Sequence, residues 1–242
     1  METPYGRPDD DLRLQADVAG DLEASGSGLG RYLAARTRYF DLAVVGAIAS
    51  GIAQVVVAGA GYDGRSLRYS APGVSWFELD HPSTQADKLE RLRRLSIATP
   101  GIAFGSVDFS AGDAGAVLNK LGHDRTRPSL FLCEGLAPYL RRHVLSALLA
   151  ALAGTSATGS RLAIELALAV SSPDQQRRRE RLASVVAAVG EPLFPPLSRD
   201  EIAPVMLASG WEVSLVTAPD GTELSASNSS VAFIVAVPVA RG

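Results

Sequence analysis

The sequence predicts an α/β domain built on a mostly parallel, seven-stranded sheet with helices on both faces. Short apolar runs rich in β-branched residues alternate with segments of helical periodicity, which is typical of a parallel sheet with crossover helices. The last two runs flank the turn at 219–221, which favours a hairpin and an antiparallel strand at one edge. The predicted strands are about 54–58, 74–79, 102–107, 129–133, 161–166, 211–217 and 230–238.

Helices are predicted where apolar residues recur on one face. An apolar stripe runs along one face of the first predicted helix, and Gly51 is expected to end this helix. Thr84 and Asp87 have the spacing of a capping box for the second. The stripe comprises Leu33, Phe40, Val44, Ala47 and Ile48. The predicted helices are about 29–50, 84–95, 141–153 and 198–209.

The chain is expected to hold one domain, 29–242, after a flexible lead-in of residues 1–28. The segment between the fifth and sixth strands is longer than a simple crossover needs. We interpret 171–209 as a helical cap that begins at Ser172-Pro173-Asp174, a favourable helix start. Residues 194–197 of this cap are expected to line an apolar pocket.

Composition limits the classes of partner. The net charge is −3, so nothing indicates a nucleic-acid-binding protein. No apolar run reaches the length of a membrane span, and the amino terminus has no signal-peptide pattern. The one cysteine, Cys133, excludes an internal disulfide and fits a reducing compartment. We therefore expect a cytoplasmic protein with a small-molecule partner, and the sequence does not indicate an oligomeric state.

A glycine turn after the first strand predicts a nucleoside-containing ligand. Gly59 and Gly61 allow the backbone to approach a ligand closely, and Asp80 at the end of the next strand suits the two hydroxyls of a ribose. A dinucleotide fits poorly, because Asp63 would repel a pyrophosphate. S-adenosylmethionine, a cation without phosphate, has no such conflict.

Several acids are expected at one edge of the sheet. The strand ends present Glu78, Asp108 and Glu134 in addition to the two aspartates above. Their repulsion is costly unless a cation or hydrogen-bond donors lie between them. A divalent metal is the competing explanation, but His81 is the one histidine nearby and the acids lack metal-ligand spacing, so no metal site is predicted.

Arg36 falls within the apolar stripe of the first helix, three residues after Leu33 and four before Phe40. An inward arginine needs an anionic partner, because an unpaired buried charge is too costly. Two partners remain open: the carboxylate of the cofactor's methionine, or one of the acids at the strand ends.

Five motifs in this order resemble the leucine carboxyl methyltransferase family, especially its bacterial S-adenosylmethionine-dependent O-methyltransferases, which include carboxyl methyltransferases of polyketide pathways. The resemblance covers about 31–165 and implies a class I methyltransferase (Rossmann-like) fold with a cap of inserted helices. The motifs are RYLAARTRYFD at 31–41, VAGAGYDGR at 57–65, FELDHP at 77–82, VD at 107–108 and LCEGLAPYL at 132–140.

The resemblance also implies a role for individual residues toward S-adenosylmethionine. Arg36 matches the residue that holds its carboxylate, and Asp80 matches the acid that binds its ribose. Glu134 matches the acid near its amino group. The turn under the methionine part corresponds to Gly59, Ala60, Gly61 and the neighbouring Asp63, and the pair that flanks adenine corresponds to Asp108 and Phe109.

The acceptor is the least determined part of the prediction. A carboxylate is already ionised near neutral pH and needs no base, whereas a phenol or alcohol would benefit from one, for which His81 and His143 are the candidates. Tyr139 is either a substrate ligand or a core tyrosine, and the arginine-rich run 177–181 either attracts an anionic acceptor or is solvated. The lack of a compelling base favours a carboxylate of a secondary metabolite. The alternative from another functional class is a protein that binds S-adenosylmethionine but does not transfer its methyl group.

Overall fold

A computed structural model describes residues 29–170, 172–188, 192–224 and 229–240. The lead-in predicted over 1–28 lies outside the described residues. Seven strands form one sheet in the order β3-β2-β1-β4-β5-β7-β6. The strands are β1 Gln54–Ala58, β2 Ser75–Asp80, β3 Ile102–Ser106, β4 Leu130–Cys133, β5 Arg161–Ala167, β6 Trp211–Thr217 and β7 Val231–Pro238.

The sheet has the predicted mixture of strand directions. The pairs from β3 through β5 are parallel, and β7 pairs antiparallel with both β5 and β6. All five residues of β1 are buried, as expected for a central parallel strand covered on both faces. The carboxyl ends of β1, β2 and β4 therefore lie side by side, and the predicted ligand site is at this edge.

Seven helices cover the sheet in the described part of the chain. The helix α1 packs on one face, where Phe40 and Val44 contact the cluster around Trp76. On the other face, residues of α4, α5 and α7 surround Phe131 and Trp211. The helices are α1 Leu29–Ala49, α2 Arg65–Arg68, α3 Pro82–Arg94, α4 Ala114–Lys120, α5 Arg142–Thr155, α6 Pro173–Ala188 and α7 Arg199–Ala208.

Two local predictions were wrong, and the sequence analysis also left out a helix. Leu33 is 39% exposed and is not part of the buried stripe of α1. The helix α3 begins at Pro82 instead of Thr84, because proline suits the first helical position and His81 caps it by accepting from the amide of Ser83. A helix between β3 and β4 was missed; the side chain of Asp113 caps it.

The single buried histidine among the described residues, His123, predicts a pH-dependent stability. Burial lowers its pKa, and its Nε2 lies 2.9 Å from the hydroxyl of Ser129. The unfolded chain therefore binds a proton more readily, so the free energy of unfolding should decrease as the pH falls below about 6.5. We expect His123→Gln, which cannot titrate, to reduce this decrease in urea unfolding at pH 7 and pH 5. Exposed His143→Gln is the control, and an unchanged pH dependence in His123→Gln would contradict the assignment.

None of the helices in the described part of the chain combines the length and apolar character that a membrane span requires.

Candidate cofactor site

A cavity of about 810 Å³ lies at the carboxyl ends of β1, β2 and β4. It brings together most of the residues that the sequence predicted for a cofactor. Its lining includes residues 59–65, Arg36, Asp80, His81, Glu134 and Tyr139.

The glycine turn forms the floor of this cavity. Gly59 and Gly61 have φ angles of +70° and +45°, in the left-handed region that glycine adopts without strain. A Cβ atom on Gly59 would lie 2.9 Å from Cδ1 of Leu136, so this turn also needs the small residue for space. The amides of Gly59 and Ala60 donate to the carbonyl of Leu79, which fixes the turn against β2.

Asp80 lies half-buried at the edge of the cavity, where β2 ends. One carboxylate oxygen accepts a hydrogen bond from the amide of Gly61, and the other accepts from the amide of His81 at 2.6 Å. These bonds fix the carboxylate beside the glycine turn. Because each oxygen has a second lone pair, the group can still accept from two hydroxyls.

Arg36 points inward and contacts two acids. Its Nε lies 2.9 Å from Oε1 of Glu134, and its Nη1 lies 3.7 Å from Oε2 of Glu165. Glu165, at the end of β5, is buried and also accepts from the hydroxyl of Tyr32 and the amide of Gly135. The structure thus contains the predicted inward arginine paired with strand-end acids, and Glu165 is a partner that the sequence analysis missed.

Arg65 is a second cation that sequence reasoning missed at this site. It is 5% exposed, and its guanidinium contacts Asp41 at 2.7 Å, Asp63 at 2.7 Å and Glu134 at 2.5 Å. The excess of acids at the strand ends was the signal that could have indicated it.

Glu78 does not belong to the cavity, contrary to the expectation that it lies with the strand-end acids. It is 1% exposed and lies 2.5 Å from the ammonium of Lys88, which also donates to the carbonyl of Asp63. Burial raises the pKa of Glu78, and this cation and the hydroxyl of Ser66 oppose the shift. The pair connects β2, α3 and the loop that carries Asp63.

The residues predicted to flank adenine are outside the lining of the cavity. Asp108 is exposed, and its carboxylate accepts from the amide and hydroxyl of Ser110, which lowers its pKa. Phe109 is half-buried and packs against the core. Neither Asp108 nor Phe109 is in the lining that contains Arg36 and Glu134.

The three predicted acceptor-side residues have different positions. Tyr139 lines the cavity with 37% of its surface exposed, in a 3-10 turn after β4. His81 also lines the cavity, with Nδ1 2.7 Å from the hydroxyl of Ser83. His143 is exposed in the first turn of α5 and is not part of the lining.

The apolar part of the predicted cap lies next to the turn that carries Tyr139. The amide of Phe194 donates to the carbonyl of Pro138 at 2.8 Å, and residues 194–197 line a small pocket of about 30 Å³. In the arginine-rich run, Arg177 pairs with Asp174 on the surface, whereas Arg179 donates to the carbonyl of Phe194.

The sequence profile described as leucine carboxyl methyltransferase matches residues 5–153, which is more than half of the chain. The chain belongs to the leucine carboxyl methyltransferase family. It is 35% identical over 190 residues to a candidate S-adenosyl-L-methionine-dependent methyltransferase of Mycobacterium avium, covering 76% of this chain and 60% of that relative. A relative in Mycolicibacterium smegmatis is 38% identical over 158 residues, which cover 62% of this chain and 51% of that relative. This family member therefore spans about half to two thirds of the length of such relatives.

Solved structures confirm the class I methyltransferase fold of this family member. A candidate methyltransferase of Thermobifida fusca superimposes with a TM-score of 0.67 at 18% identity, covering 88% of this chain and 84% of that one. The O-methyltransferase NcsB1 of neocarzinostatin biosynthesis, solved with S-adenosyl-L-homocysteine and 1,4-dihydroxy-2-naphthoic acid, has a TM-score of 0.51 at 13% identity, with 78% and 50% covered.

Proposed function

We propose that this chain is an S-adenosylmethionine-dependent O-methyltransferase that methylates a carboxylate of a small secondary-metabolite acid. The observation that supports it most is one cavity, in a member of this family, that combines the glycine turn, Asp80 and the pair of Arg36 with Glu134. The single cysteine fits a reducing compartment, so we place this activity in the cytoplasm.

The residues fit the cofactor that the family implies. The side chain of Arg36 is 27% exposed and lines the cavity, so its guanidinium can reach a ligand carboxylate while it is paired with Glu134. Glu134 would accept from the ammonium, Asp80 from the ribose hydroxyls, and residues 59–61 would pass beneath the methionine part. The adenine would lie toward Asp108 and Phe109.

The chain's own contribution is positioning. Bound S-adenosylmethionine supplies an electrophilic methyl group. The cavity would align an acceptor carboxylate with it, and positioning of this kind can contribute roughly 7–11 kcal/mol. The hydroxyl of Tyr139 would donate to the acceptor carboxylate, and the cap over 171–209 would exclude water. An ionised carboxylate requires no proton transfer, so no side chain has to act as a base.

Two alternatives make different predictions. In a phenol or alcohol methyltransferase, His81 would be the base, because His81 lines the cavity and His143 does not. In a non-catalytic binding protein, the cofactor would bind without turnover.

Calorimetric titration and methyl-transfer assays test the proposal. We expect micromolar binding of S-adenosylmethionine and S-adenosylhomocysteine and none of NAD⁺. A labelled methyl group should then be transferred to members of a panel of small carboxylic acids. The rate of this transfer should not change between pH 6 and pH 9. Transfer to phenols with a rate that rises through a pKa near that of histidine would favour the His81 mechanism, and binding without any transfer would favour the regulator. No adenosyl binding would overturn the proposed function.

A further inference from the structure

Arg65 is the residue that joins the parts of the cofactor cavity. It belongs to α2, while its three acidic partners come from α1, the loop after β1 and the end of β4. We propose that Arg65 is a positioning residue that keeps Glu134 ionised and directed into the cavity, where the cofactor's ammonium would bind. This inference rests on the proposed function, because it assumes that role for Glu134.

The environment of Glu134 creates the need for such a residue. Its side chain is 15% exposed, and burial raises its pKa. Charges from each neighbouring element act on it: Arg36 from α1 and Arg65 from α2 favour the ionised form, and Asp63 from the loop opposes it. Glu165 of β5 competes for Arg36. Arg65 lies nearer to Glu134 than Arg36 does, at 2.5 Å against 2.9 Å, so the charge of Glu134 depends most on Arg65.

The geometry requires arginine rather than a positive charge alone. Nε of Arg65 contacts Asp41, while Nη1 contacts both Asp63 and Glu134. A lysine ammonium is a single charged group and cannot contact Asp41 of α1 and Glu134 after β4 at the same time. The guanidinium also lies over the ring of Phe40, 5.6 Å from its centroid, so the packing of α1 holds it in place.

The decisive experiment is an NMR titration of the Glu134 carboxyl carbon in the ligand-free protein. We expect Arg65→Lys to raise the midpoint of this titration, and Arg65→Gln combined with Asp41→Asn to raise it by about 1–3 pH units. The double variant removes one charge of each sign, which limits the loss of stability. Arg91→Lys is the control, because Arg91 is a buried arginine of α3 that pairs with Asp87 and does not contact Glu134.

Calorimetric titration with S-adenosylhomocysteine from pH 5 to 9 provides the second measurement. A protonated Glu134 would no longer attract the ammonium, so affinity in the Arg65 variants should be lost at a higher pH than in the wild type. An unchanged Glu134 midpoint in folded Arg65 variants would overturn the inference, whatever the ligand affinity. If the midpoint is raised in the Arg65 variants but the wild-type chain binds neither adenosyl ligand, the electrostatic role of Arg65 would be confirmed and the proposed function overturned.

Discussion

Lys88→Met is expected to lower the free energy of unfolding by about 3–5 kcal/mol. Lys88 and Glu78 are 2% and 1% exposed, and their charged atoms lie 2.5 Å apart. Methionine fills a similar volume but leaves the carboxylate of Glu78 buried with the hydroxyl of Ser66 as its remaining side-chain donor. The loss of the bond to the carbonyl of Asp63 should also release the loop at the cavity, so cofactor affinity should fall in parallel.

Urea unfolding of a double-mutant cycle checks this prediction. We expect Lys88→Met with Glu78→Leu to be more stable than Lys88→Met alone, because the second substitution removes the unpaired charge. Arg93→Met is the matched control on the same helix, since its pair with Glu90 is exposed and solvent screening should make its contribution to stability small. If Lys88→Met were no more destabilising than Arg93→Met, the pair would not have the structural role we assign to it.

The sheet could be predicted because its signals are local. The five residues of β1 are all apolar or buried, and the two glycines that follow have the positive φ angles that a tight turn requires. The helix α4 gave no comparable signal, because it has seven residues and includes Gly115, which is a poor helix former. Its formation depends on packing against α5 and β3.

The charge network of the site could be predicted only in part. The inward direction of Arg36 follows from its place in a helical stripe, which is a local property. The choice of partner is not local: Arg65 and Glu134 are 69 residues apart, and Tyr32 and Glu165 are 133 apart. Glu78 shows the same limit, because the position of an acid near a strand end does not determine whether it faces the cavity or a buried lysine.

Arg36→Ala is expected to weaken the binding of S-adenosylhomocysteine by about 10- to 150-fold, the equivalent of a lost charged hydrogen bond of roughly 1.5–3 kcal/mol. Arg36 lines the cavity with 27% of its side chain exposed, so its guanidinium is placed to receive the ligand's carboxylate. Calorimetric titration measures the change directly. Arg38→Ala is the matched control, because Arg38 is exposed on the same helix and should change the affinity by no more than about twofold.

The effect of Arg36 on binding has to be separated from its effect on the fold, because it also pairs with Glu134 and Glu165. Arg36→Lys keeps a positive charge near both acids but loses the planar fork that suits a carboxylate. If Arg36 acts as a ligand, Arg36→Lys should recover most of the stability lost in Arg36→Ala but little of the affinity. Equal recovery of both would mean that Arg36 is a structural partner of the two glutamates, and equal affinities of the Arg36→Ala and Arg38→Ala variants would exclude it as the carboxylate ligand.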